Sequence, residues 1–318
     1  MQYPLITVIT PSYNSGSYIF ETIHSVLEQT YPAIQYIITD DASKEFPADI
    51  IKEVLTCENR GNIVAWTVLH HVKNVGTVKN LNGALHHADG EYIFIIAADD
   101  AYDNVDVLSQ WVKEFQNTHA LAITSYWKNC DVNLCDCQCI FPNPSDAHII
   151  RTYTPERLYQ LITELHFQKK PLPIDGGGAI AYSRECIDRY NLFDETYKLM
   201  EDYPTIATLL KDNVKIYLWG GCSIKHRYGG VSHNSIPNPK LVLDFIKFKE
   251  QILFNNNTIN KKMFFYYYIK YYLYRACASL YDILYRCYYS HICQSHGSKI
   301  NSSILKCIGK IYDFYRKI

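Results

Sequence analysis

Apolar and polar residues alternate along the first hundred positions in a rhythm of short β-branched runs and longer amphipathic stretches. Residues 5–10 form a compact apolar run, which predicts a strand. Ile19, Ile23, Val26 and Leu27 share one helical face, which predicts a helix over 15–29 capped by Ser15 or Ser17. Strands follow at 34–39, 63–70 and 92–97, with helices at 47–57 and 77–87 between them. The run at 92–97 is apolar almost throughout, as suits a strand covered on both faces of a parallel sheet. This βαβαβαβ order implies an α/β, doubly wound, mostly parallel sheet flanked by helices. In that architecture ligands sit at the carboxyl ends of the strands.

Polar and acidic residues stand at those ends. Thr10-Pro11-Ser12-Tyr13-Asn14 follows the first strand, Asp40-Asp41-Ala42-Ser43 the second, and Asp99-Asp100 the fourth. Each group alone reads as a turn or a helix cap. Their recurrence on one rim points to a shared site. Further along, residues 120–141 predict a strand pair around Asp131-Val132-Asn133, and Thr154-Pro155-Glu156-Arg157 opens a helix. Gly176-Gly177-Gly178 precedes a short strand at 179–182, and Glu201-Asp202 precedes an apolar helical run over 203–210. A strand follows at 214–219, and from residue 260 the chain reads as helical, aromatic and basic.

A chain of 318 residues is long enough for one large α/β domain with an appendage, or for two small domains. The net charge of −1 hides an asymmetry. Residues 261–318 hold ten Lys or Arg against two Asp, a balance of +8, and the remainder holds 21 basic against 30 acidic residues, a balance of −9. On a helix over 263–289, Leu273, Cys277, Leu280 and Leu284 would share a packing face, with Arg275 and Arg286 opposite and tyrosines on the flanks. That tail suits contact with an anionic membrane surface. No apolar run reaches the roughly 18 residues of a spanning helix. The 11 cysteines and the lack of a basic leader segment predict a cytoplasmic protein with reduced thiols, peripheral at most on the inner face of the membrane. Cys130, Cys135, Cys137 and Cys139 lack a CxxC knuckle and read as strand cysteines before a zinc site. The first turn carries no Gly-x-Gly-x-x-Gly, against a dinucleotide oxidoreductase, and no nucleic-acid partner is expected. An oligomer is compatible with the composition.

Five landmarks occur in a familiar order: VITPSYN, ITDDAS, Asn74-Val75-Gly76 through Asn82 to Gly90-Glu91-Tyr92-Ile93, AADD at 97–100, and FDETYKLMEDY at 193–203. Together they resemble the family 2 inverting glycosyltransferases of the GT-A (Rossmann-like) fold, over roughly residues 4–232. Two departures stand out. Ala97 replaces the first acid of the Asp-x-Asp motif, and Arg227 stands where the family often has a histidine, with His226 beside it.

The resemblance implies a domain over 1–235, with a nucleotide-binding half at 1–100 and an acceptor half at 101–235, followed by a helical C-terminal extension over 236–318. It implies inverting transfer from a nucleotide sugar, UDP-linked by the family's habit, to a hydroxyl on a saccharide or lipid-linked saccharide in cell-surface polysaccharide assembly. Thr10, Pro11 and Tyr13 would wall the nucleoside, and Asp41, or Asp40, would accept from the base or ribose. Lys79 would reach phosphate, with Asn82 on the same helix on the donor side. Asp99, with Asp100, would hold a divalent Mn or Mg ion against the phosphates, and Arg227, His226 or Lys225 would add positive charge. Asp202 would act as the general base and Glu201 would bind acceptor hydroxyls, though both acids also suit the dipole of the helix that follows. Gly177 and Gly178 would let the backbone approach the acceptor. The missing first acid leaves a non-catalytic nucleotide-sugar binder as the alternative.

Overall fold

The computed structural model describes residues 3–167, 172–174, 177–191, 193–229 and 238–255. Strands β1 (Ile6–Ser12), β2 (Ile34–Asp40), β3 (Ile63–His70) and β4 (Tyr92–Ile95) alternate with helices α1 (Tyr18–Leu27), α2 (Ala48–Cys57) and α3 (Thr77–Leu85). β1 pairs in parallel with β2 on one side and β4 on the other, and β3 extends the sheet beyond β2. Ile6, Val8, Ile34, Tyr36 and Ile38 join Ile19, Ile23 and Val26 of α1 in one core cluster. Ile9 and Ile37, at the intervening positions, are also fully buried, so both sheet faces are covered. Each such side chain contributes roughly 1.5–3 kcal/mol.

The second half adds β5 (Ala101–Tyr102), α4 (Val107–Thr118), β6 (Ala122–Cys130), β7 (Cys137–Phe141), α5 (Pro144–Thr152) and α6 (Pro155–Phe167). It continues with β8 (Ile180–Ser183), α7 (Arg184–Tyr190), α8 (Asp202–Lys211) and β9 (Ile216–Arg227). The nine strands form one sheet in the order β3-β2-β1-β4-β8-β6-β9-β5, with β7 paired to β6. β8 runs antiparallel to both β4 and β6, and β9 runs parallel to β6. The sheet is therefore wholly parallel from β3 to β4 and mixed beyond. This is the expected α/β class.

Several elements differ from the sequence reading, and β5, α5 and α7 form where it names none. α4 forms where no element is expected, and buries Val107, Leu108, Trp111, Val112 and Phe115, an i, i+3/i+4 stripe. β9 runs on to Arg227 instead of stopping at 219. Gly220-Gly221 marks a shift in its register with β6, not an end, as glycine often does inside a strand. The expectation of reduced thiols is corrected at one pair. The β6–β7 register sets Cys130 opposite Cys137, and the two are joined as a disulfide.

The chain divides into two compact units, 1–165 with 170–230, and 166–169 with 231–318. In the second, α9 (Pro239–Asn255) buries Val242, Ile246, Phe248 and Ile252. The aromatic basic stretch over 261–318 lies outside the described residues. Among the described residues, no helix is long and apolar enough to cross a membrane.

Candidate active site

The sheet changes its direction of growth at β1, because β2 and β3 lie on one side and β4 on the other. In sheets of this kind the ligand crevice lies at such a switch point, here at the carboxyl ends of β1 and β4. Backbone bonds stitch its walls. The Asp41 N–H donates to the Ser12 carbonyl (2.9 Å), and the Ala98 N–H to the Pro11 carbonyl (3.2 Å). α1 closes from the side, where the Thr22 hydroxyl donates to the Asp100 carbonyl at 2.6 Å.

Asp100 is buried. One carboxylate oxygen accepts the Arg227 backbone N–H (3.0 Å), and the other meets His226 Nδ1 at 3.1 Å. Asp99 is partly exposed on the rim. Its carboxyl pKa is raised, first by burial and then by the Asp100 charge, with His226 and Arg227 only partly offsetting. A divalent cation would relieve both causes, and hard carboxylate oxygens suit Mg or Mn. Among the described residues no three His, Cys, Asp or Glu side chains gather as a closed cage. Asp99, with Asp100, offers the carboxylates that could hold such an ion together with substrate phosphates.

Arg227 and His226 part company here. The Arg227 guanidinium is buried and donates to the Asp99 carbonyl (2.8 Å), the Glu21 carboxylate (2.7 Å) and the Val132 carbonyl. Its plane lies over the Tyr18 ring at 4.2 Å. The expected charge on the diphosphate thus meets a guanidinium already engaged within the protein. His226 is the more exposed of the two, and its ring stands edge-on to Trp127, which stacks on Phe141. The sequence reading assigns no role to Tyr18, Glu21 or Thr22. A buried threonine between Ile19 and Ile23 on the packing face is the one signal it offers.

At the end of β1, Pro11 and Tyr13 present surface, and Tyr13 is 54% exposed. Thr10 is fully buried, and its hydroxyl meets the Tyr36 hydroxyl at 3.0 Å. The Asp40 carboxylate accepts from the Ser43 N–H (2.7 Å) and hydroxyl (2.5 Å) and meets His70 Nδ1 at 2.9 Å. The Asp41 carboxylate accepts the Val75 N–H (2.6 Å) and the Gly76 N–H (2.9 Å), one on each oxygen. Asp40 thus braces its own turn and meets β3, and Asp41 ties that turn to the loop before α3. Lys79 pairs with Glu195 at 3.5 Å. Asn82 is buried and exchanges hydrogen bonds with the Phe193 backbone (2.9 and 3.1 Å), which ties α3 to the segment over 193–203.

That segment is held close. Gly76 has φ +94°, and a Cβ there would fall 2.7 Å from the Lys198 carbonyl oxygen, so only glycine fits. The same oxygen accepts the Val78 N–H (3.2 Å). Four residues later Asp202 starts α8, and one of its oxygens accepts the Tyr203 N–H at 2.7 Å. Glu201 occupies the cap position, where its carbonyl accepts the Thr205 hydroxyl (2.6 Å). The buried Tyr182 phenol on β8 has its pKa raised well above the usual value by burial, with the charges of Cys186, Asp202 and Glu201 adding to it. Both acids therefore lie within electrostatic reach of the strand beside β4. Gly177 and Gly178 begin a short 3-10 turn. A Cβ at Gly178 would meet the end of the Ile224 side chain and, at 3.0 Å, the Ile95 carbonyl, so this glycine sits close against β4 and β9.

The model of the family described as "Glycosyl transferase family 2" matches residues 7–190. TuaG of Bacillus subtilis (strain 168), a glycosyltransferase provisionally assigned to teichuronic acid biosynthesis, is 33% identical over 123 residues, 39% of this chain and 47% of that protein. The chain thus spans less than half the length of that curated relative. Among solved structures, S. aureus TarS 1–349 in complex with UDP-GlcNAc superposes with a TM-score of 0.58 at 19% identity, covering 82% of this chain and 69% of that one. The mannosyltransferase PcManGT from Pyrobaculum calidifontis, in complex with GDP-Man and Mn2+, gives 0.52 at 18% identity, covering 100% and 83%. These likenesses speak for the fold. The family match spans more than half of the chain, over the strands and turns that build the crevice, and the chain belongs to glycosyl transferase family 2.

Proposed function

We propose that the chain is an inverting, metal-dependent hexosyltransferase that moves a sugar from a UDP-sugar to a hydroxyl of a saccharide or lipid-linked saccharide. The observation that carries the reading is the β1/β4 switch-point crevice with a half-buried Asp99 carboxyl on its rim, beside Asp100 and His226. Pro11 and Tyr13 flank the nucleoside, and Asp99 faces the diphosphate with His226 adding positive charge. Asp99 would hold Mn or Mg, which would supply Lewis-acid stabilisation to the departing diphosphate. Asp202 takes the proton from the acceptor hydroxyl as its oxygen attacks the anomeric carbon. The carbon–oxygen bond to phosphate breaks on the opposite face, and the nucleoside diphosphate leaves with the electron pair. Glu201 and the Gly177–Gly178 backbone border the acceptor. A role in cell-surface polysaccharide assembly draws support from TuaG's assignment to teichuronic acid biosynthesis. The basic 261–318 stretch would give peripheral contact with anionic lipid, which equal liposome pelleting of the full chain and a chain stopped near Asn260 would rule out.

The test is turnover of UDP- and GDP-sugars with manganese, with the product's anomeric configuration read by proton NMR. Asp202→Asn should lower kcat by roughly 10²–10⁴ with donor binding retained. Donor binding without turnover in the native chain, for any acceptor, would favour a non-catalytic binder, the reading that Ala97 suggests.

A further inference from the structure

We infer that Arg227 is a positioning residue that locks the Asp99 turn to α1 and to the tip of the β6–β7 hairpin by the shape of its guanidinium, not by lending charge to phosphate. The inference deepens the glycosyltransferase reading and rests on it only in taking the Asp99 turn as the donor's seat. Arg227 is 3% exposed. Its Nε donates to the Asp99 carbonyl (2.8 Å), one Nη to the Val132 carbonyl, and the other Nη to the Glu21 carboxylate (2.7 Å). Three partners from three distant parts of the chain thus occupy one planar fork. The Tyr18 ring covers the fork's face at 4.2 Å, and the residue's own backbone N–H fixes Asp100 at 3.0 Å.

The geometry explains why arginine stands there. Its donors are set rigidly in a plane, so three acceptors in that plane are engaged at little conformational cost. A lysine ammonium is a point charge on a flexible stem and cannot span the Asp99 carbonyl, Val132 and Glu21 together. The hairpin tip carries its own internal bonds, with the Leu134 N–H to the Asp131 carbonyl (3.1 Å) and the Cys135 N–H to the Asp131 carboxylate (2.8 Å). The Asp99 turn likewise carries the Asp100 N–H to the Ala97 carbonyl (3.1 Å). These amides report the order of each stretch separately. The Arg227 side chain is bonded to both stretches, at Asp99 and at Val132.

The experiment compares the full native chain with Arg227→Lys and Arg227→Ala, without ligand, by backbone hydrogen exchange over 97–101 and 131–135. Exchange should rise in both stretches together, by about tenfold or more, in either variant. Calorimetric titration with UDP and manganese should weaken roughly 10–100-fold, as for a misplaced binding turn, and lysine should rescue neither readout. Native-like exchange and binding in Arg227→Lys would overturn the inference, because charge alone would then suffice. A rise confined to one stretch would also overturn it. If Arg227→Ala fails to fold, Glu21→Gln decides with Arg227→Lys, since loss of one arm of the fork should speed exchange in the same two stretches to a lesser degree. A native chain that binds no nucleotide but shows the paired exchange response would sink the functional reading and leave the lock standing.

Discussion

Substituting Asp41 by asparagine keeps the side chain's shape and turns one oxygen into an NH2. Both oxygens are in use, one for the Val75 N–H at 2.6 Å and the other for the Gly76 N–H at 2.9 Å. Asparagine accepts only one of these and sets its NH2 against the other N–H. A hydrogen bond to a charged group contributes about 1.5–3 kcal/mol, and an unsatisfied buried N–H costs about 1–3 kcal/mol. The two losses overlap, so we expect a destabilisation of about 3 kcal/mol. For a unit of this size that lowers the melting temperature by roughly 6–12 °C. Asp41→Ala leaves both N–H groups without the carboxylate and should melt lower still. Thermal unfolding followed by circular dichroism measures the shift, and nucleotide titration on the same samples measures binding. If Asp41→Asn melted within about 2 °C of the native chain while losing nucleotide affinity, the carboxylate would be facing the donor, and the bracing role would be wrong.

Gly76→Ala should destabilise by about 1–3 kcal/mol, because it forces a Cβ to within 2.7 Å of the Lys198 carbonyl at a φ of +94°. Turnover should fall further than stability, since Lys198 leads to Asp202; a native-like melting curve and rate would count against that tie. Asp99 has a raised pKa, so without metal its contribution to stability is full below the ordinary aspartate value of about 3.9 and is lost as pH rises through the raised value. Metal binding takes the ionised form and releases a proton, so manganese affinity should fall on acidification at a pH above the usual aspartate range, with Asp99→Asn abolishing that limb. Calorimetry in buffers of different ionisation enthalpy would detect the released proton.

The first hundred residues were legible because β1, β2 and β4 are buried on both faces, and uninterrupted apolar runs announce themselves. The rim acids were legible by position, since strand ends in such sheets face ligand. Their side-chain directions were not. Asp40 and Asp41 follow a strand end in the way a binding pair would, yet each turns inward to hold a loop. Thr10 alternates into the core while its neighbour Pro11 does not. Arg227 and His226 are adjacent in a strand, so they face opposite ways, and which one lies inward depends on register with β6 after the Gly220-Gly221 shift. No local pattern fixes that register. α4 was readable from its stripe of Val107, Leu108, Trp111, Val112 and Phe115. The Cys130–Cys137 pairing needed the hairpin register, which the intervening Asp131–Asp136 turn does not specify by itself.

Manganese broadens the NMR signals of nearby nuclei, and this reports directly on whether donor phosphates and ion meet at the β1/β4 crevice. With UDP and substoichiometric Mn2+, the amides of 97–100 and 226 should broaden first, less so with Mn2+ alone, and not at all in Asp99→Asn. Broadening centred elsewhere, or unchanged by Asp99→Asn, would contradict the site.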